Sequence, residues 1–204
     1  PPAWRALAER HGRVIDIPHG PVGMRGSFRA ALDLPDRLGW PDDDVVYFSE
    51  DDYLHLPRAF TALASAADAL PTASYFALYA ATPDHPTPDA SGTPPWGWNP
   101  APEAVVDGTR WVNVPSTTST HGARLGALRA DLGIIRQGMV PYRSRFLDHE
   151  IFMVSQGSYP WRPDELFLDR PVNRFRTGAR AVAMNSLLTP FRLAFQARTL
   201  TRRR

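Results

Sequence analysis

Apolar residues along the chain switch repeatedly between the three-to-four spacing of a helix and the unbroken runs of a buried strand. Trp4, Leu7 and Ala8 recur at helical spacing, and His11-Gly12 stops that segment. Residues 13–17 are a short β-branched run closed by Pro18 and Gly20. Ser27 is placed to cap a helix through Phe28, Ala31 and Leu32, with Pro35 ending it. Val45-Val46-Tyr47-Phe48 carries the strongest strand signal. It has no polar alternation, which predicts a central strand covered on both faces. The turn Pro41-Asp42-Asp43-Asp44 feeds it, and it runs straight into Ser49-Glu50-Asp51-Asp52-Tyr53.

Leu56-Pro57 then opens a helix with Phe60, Leu63, Ala64, Ala67 and Leu70 on one face. Residues 74–80 read as a second buried strand. Residues 83–102 form a long Pro- and Gly-rich excursion containing Trp96 and Trp98. Residues 110–114 predict a strand, followed by the hydroxyl-rich run 116–120. The next helix buries Leu125, Leu128, Leu132 and Ile135, and a short one covers residues 148–156. Alternation of this kind predicts an α/β fold with a mostly parallel central sheet flanked by helices. It is expected to occupy residues 1–170, with an Arg-rich, helical or irregular extension over 171–204. Ligands of such sheets bind beyond the carboxyl ends of the strands, where Glu50-Asp51-Asp52 falls.

Composition narrows the chemistry. The 204 residues contain no Cys, which excludes disulfide scaffolds, zinc fingers and a cysteine nucleophile. No apolar run reaches the roughly 20 residues of a spanning helix. All 23 cations are Arg, yet the net charge is only +2, so a nucleic-acid partner is not expected. No secretory signal is visible, and a cytoplasmic protein is expected. The tail mixes Leu188, Phe191 and Phe195 with many Arg and reads either as a solvated helix or as a membrane-surface helix. Arg124 and Arg129 read as a solvated helix face.

Three consecutive acids after a buried strand repel one another in a partly desolvated place. A divalent cation relieves that cost, and carboxylates suit Mg²⁺ or Mn²⁺. Along an extended chain Glu50 and Asp52 share a face while Asp51 points away. The competing reading is a solvated acidic turn, which is how Asp42-Asp43-Asp44 reads.

Val-Val-Tyr-Phe-Ser-Glu-Asp-Asp-Tyr over residues 45–53 resembles the strand and Asp-x-Asp type motif of GT-A glycosyltransferases. Gly26-Ser27-Phe28-Arg29-Ala30-Ala31 resembles the glycine-started helix that precedes the motif in family 2 members. The Thr-rich run and Asp148-His149-Glu150 follow, where that family carries an acceptor-side acid. The resemblance covers most of residues 10–157, and the acidic motif is its distinctive part. It implies a Rossmann-related GT-A fold whose first strand and nucleobase-binding Asp lie upstream of residue 1. It also implies a metal-dependent, inverting transfer of sugar from a nucleotide-diphosphate donor to an acceptor hydroxyl. Glu50, Asp51, Asp52 and Ser27 would contact the donor, and Asp52 and Glu50 would hold Mn²⁺ or Mg²⁺. Asp148, or Glu150 after it, would be the general base; the other reading of Asp148 is a helix N-cap. Trp96, Trp98 and Thr118 would face the acceptor, the indoles alternatively being loop anchors. His149 reads as a further ligand or as an exposed side chain. Two other classes fit less of the pattern. A nucleotidyltransferase needs a Gly-rich basic phosphate loop that the chain lacks, and a non-catalytic carbohydrate- or partner-binding domain would use the loop but not the acids.

Overall fold

A computed structural model describes residues 3–17, 23–50, 53–78, 103–114, 117, 120–140, 147–161, 163, 166 and 179–202. The chain divides into two compact units, Pro1–Trp40 and Pro41–Arg204. Together the described residues make a mixed α/β protein with six α-helices and small antiparallel sheets.

The first unit holds α1 (Ala3–His11) and α2 (Gly23–Leu38). Arg5 donates to Glu9 within α1 and to both Asp16 oxygens, at 2.6 and 2.9 Å. The guanidinium keeps the Asp16 carboxyl below its ordinary range. Residues 13–17 form no strand, because a β-branched run needs a ladder to join. Pro35 does not close α2 as expected. The helix runs through it to Leu38, with Leu32 and Pro35 both buried on one side, and Gly39 at φ 68° ends it. Ser27 lies inside that helix, and its hydroxyl donates to the Gly23 carbonyl at 3.0 Å, so it is not a cap.

The second unit is built on a three-stranded sheet in the order β1 (Val45–Phe48), β5 (His121–Arg124), β2 (Tyr75–Phe76). Both pairings are antiparallel, with Phe48 opposite His121 and Phe76 opposite Gly122. The mostly parallel sheet is therefore not what the described strands form. β1, expected at the centre, is an edge strand here, and β5 takes the middle. β1 and β2 nevertheless run parallel to each other across β5, so both carboxyl ends meet its amino end. A separate hairpin pairs β3 (Ala104–Val106) with β4 (Thr109–Trp111) through Asp107 and Gly108, both at positive φ. Residues 83–102, with Trp96 and Trp98, lie outside the described residues.

Helices cover both faces of the sheet. On one, α3 (Ala59–Ala69) packs Leu63, Ala66 and Ala67 with Phe76, Val45, Tyr47 and Trp111. On the other, Phe152 of α5 (Asp148–Ser155) meets His121 at 4.5 Å and Tyr75 at 5.8 Å between ring centroids. α4 (Leu125–Gly138) packs against α5, and its first amides, on Leu125 and Gly126, donate to the carbonyls of Asp44 and Asp42. The Asp42-Asp43-Asp44 turn is exposed, and Asp42 pairs with Arg129 at the start of α4, where acids suit the helix dipole. α6 (Ala179–Ala197) and a 3₁₀ turn (Arg198–Thr201) belong to this same unit, with Arg192 and Phe195 fully buried.

α4 and α5 touch closely at Gly138. A Cβ there would overlap Ile151 Cγ1 and lie 2.6 Å from its Cδ1. Ile151 is buried and has little room to move. Gly138→Ala should therefore destabilise the fold by about 1–3 kcal/mol, the cost of overpacking outweighing the ~1 kcal/mol of helix propensity that Ala adds. Urea unfolding followed by circular dichroism measures it; a gain in stability would show that the two helices do not touch at this point.

Candidate functional site

Glu50 leaves the carboxyl end of β1 and is held there from the start of the neighbouring strand β5. Its amide donates to Thr120 Oγ1 at 3.1 Å, and that hydroxyl donates to Glu50 Oε2 at 3.3 Å. Thr120 is fully buried at the amino end of β5 and is 70 residues away in sequence. Thr117 Oγ1 donates to the Thr120 carbonyl at 3.1 Å. Within the hydroxyl-rich run, Thr120 therefore fixes an acid of the cluster. Ser49 Oγ lies 3.1 Å from His55 Nε2 and bonds the Glu50 carbonyl at 3.0 Å. His55 stands edge-on to Tyr47, so the segment just past the acids is anchored to β1.

The second pair of candidates arrives from the other face. His121, next to Thr120, is buried between Phe48 at 5.1 Å and Phe152 at 4.5 Å. Phe152 sits on α5 two residues after Glu150, so α5 is pressed against the end of the sheet that carries Glu50. Glu150 is buried and His149 exposed. Asp148 is the first residue of α5, and the N-cap position belongs to Leu147, which makes no side-chain cap bond. The capping reading of Asp148 is corrected accordingly.

Asp51, Asp52, Thr118, Trp96 and Trp98 lie outside the described residues, and Ser27 belongs to the first unit. Among the described residues no group of three His, Asp or Glu side chains gathers as a cation site. The donors present at the end of β1, a carboxylate beside a hydroxyl, are hard oxygens of the kind Mg²⁺ and Mn²⁺ take.

Several structural residues escaped the sequence reading. Arg124 is not on a solvated face. Its Nε donates to the Ala73 carbonyl at 2.9 Å and its Nη2 to the carbonyls of Ala67 and Leu70, at the end of α3. Tyr75 donates to the buried Asp131 at 2.8 Å, and Arg202 pairs with the same carboxylate. Burial pushes the Tyr75 hydroxyl well above its usual range. No local pattern announces these contacts, since each joins residues more than fifty positions apart.

Thr120→Val keeps the shape of the side chain and removes its oxygen. The Glu50 amide then loses its acceptor in a half-buried place, which should cost about 1–3 kcal/mol. Urea unfolding checks the value, and a neutral result would mean that Glu50 does not depend on Thr120 for its position.

Comparison with protein-family models, with curated proteins and with solved structures finds no match for this chain.

Proposed function

We propose that the chain is a metal-dependent glycosyltransferase that moves a sugar from a nucleotide-diphosphate donor to an acceptor hydroxyl. One observation carries this reading: the acidic run leaves the carboxyl end of β1 with Glu50 tied by main chain and side chain to Thr120 of β5. An acid held this firmly is a preorganised ligand and not a free surface charge. The reading does not need β1 at the centre of a parallel sheet. It needs a place where strand ends converge, and the carboxyl ends of β1 and β2 beside the amino end of β5 supply one.

Glu50 and Asp52 would hold Mn²⁺ or Mg²⁺, which when bound neutralises charge on the departing diphosphate. Asp51 is the further donor-side candidate, with Thr118, Trp96 and Trp98 on the acceptor side. Inversion at the sugar carbon requires a base for the acceptor proton, and Asp148 at the start of α5 is assigned that role, with Glu150 second. α5 reaches the same end of the sheet through Phe152 and His121.

Thermal unfolding in the presence of Mn²⁺ with UDP, GDP or dTDP tests the whole reading. Metal and one nucleotide together should stabilise the protein by about 2.7 kcal/mol at a hundredfold excess over Kd. Stabilisation by free sugar alone would instead favour a binding module. Asp52→Asn should abolish the joint effect while leaving the fold intact. Mn²⁺ calorimetry indistinguishable from the parent chain would remove the metal assignment.

Asp148→Asn separates the base from its neighbours. Turnover should drop by roughly 10²–10⁴-fold, because that is what a positioned base contributes. Donor and metal affinity should hold, since the group acts on the acceptor. Unchanged turnover would transfer the role to Glu150, and unchanged turnover in both single variants would exclude an inverting mechanism through either acid.

A further inference from the structure

The polarity of α6 is reversed. Its buried side carries Thr189, Arg192 and Gln196, followed by Thr199 in the 3₁₀ turn, with Phe195 as the apolar member. These polar groups are satisfied inside the unit. Thr189 Oγ1 donates to the Leu166 carbonyl at 3.0 Å, Gln196 Oε1 accepts from the Trp161 amide at 3.1 Å, and Thr199 Oγ1 donates to the Ser158 carbonyl at 3.3 Å. The outward side is apolar instead. Leu187 is 75% exposed and Leu193 46%, with Pro190, Ala194 and Ala197 exposed beside them, and Leu200 just beyond is 62% exposed. At 3.6 residues per turn, positions 187, 190, 194 and 197 follow one ridge, and 193 lies alongside. A helix facing water places its polar residues outward, so this face is made for an apolar surface.

We propose that the outer face of α6 docks on an anionic lipid surface. Charge selects the occupant. Residues 171–204 contain eight Arg and neither Asp nor Glu. Setting aside Arg192, which is buried, and Arg202, which pairs with Asp131, the segment still carries six cations. A second copy of the chain would bring two such segments together and be repelled, whereas anionic headgroups attract them. No helix among the described residues is long and apolar enough to cross a membrane, so α6 lies in the plane of the interface.

Co-sedimentation of the full chain with vesicles tests this. Binding is expected to phosphatidylcholine vesicles containing phosphatidylglycerol, weaker in high salt, and little to phosphatidylcholine alone. Leu193→Ser and Leu200→Ser remove apolar area without touching charge, and each should lower the partition by about tenfold. Their thermal unfolding should match the parent, because both side chains already face outward. Absence of binding to the anionic vesicles, equal binding to neutral ones, or unchanged binding in the two Ser variants would overturn the proposal. So would a dimer in light scattering that Leu193→Ser dissolves, since the face would then belong to a second copy.

Discussion

A strand set between two others, with a helix pressed on its face, has room for little more than a backbone, and β5 meets that constraint with Gly122 and Ala123. A Cβ at Gly122 would stand 3.3 Å from the Phe76 Cβ and 3.4 Å from both Leu63 and Tyr47, which is how closely α3 approaches. Arg124 ends the strand and satisfies three carbonyls at the close of α3 and before β2. A partly buried guanidinium stripped of water needs such acceptors, and the helix end needs a cation. The same guanidinium lies 5.8 Å from the Phe76 ring. Four residues of β5 therefore fix β1, β2, α3 and, through the chain that follows, α4.

That dependence explains what was legible in the sequence. Periodicity located α1, α4 and α5 and the strand β1, because each owes its signal to local spacing of apolar residues. The same logic failed at His121-Gly122-Ala123-Arg124, which has no β-branched residue and therefore no propensity for a strand. It is a strand because a crowded centre demands small side chains, a requirement set by its neighbours. Without it, the unbroken apolar run of β1 reads as a central strand, and the alternation of helix and strand reads as a parallel sheet. The hairpin between β3 and β4 was a different case, since Asp107-Gly108 between apolar residues is a local turn signal that could have been read. Of the site, the run Glu50-Asp51-Asp52 after a strand was visible, whereas Thr120 as the partner of Glu50 was not.

The C-terminal segment shows how far long-range pairing can override a local reading. Its Leu and Phe spacing suggests an amphipathic helix with arginines outward, yet Arg192 is buried near Trp161 while Leu187 and Leu193 face out. The inward polar residues find carbonyls and an amide on the loop after α5, so their burial costs little. Arg202 then reaches Asp131 on α4, where Tyr75 of β2 already donates. The buried carboxylate thus receives two donors, and the sheet, α4 and the chain end share one polar contact.

These ties bear on chemistry as well as on stability. Glu50 is placed by Thr120, Thr120 is continuous with His121, and His121 is gripped by Phe48 and Phe152 from the two sides of its own face. The acid at the end of β1 and the acids at the start of α5 are thus referred to one short strand. Positioning of this kind is what the proposed group transfer would require, since a displacement of about 1 Å in a reacting group costs on the order of a hundredfold in rate. Among the described residues, the hydroxyl of Thr120 is the side chain that joins Glu50 of the acidic run directly to the start of the strand on which the rest is built.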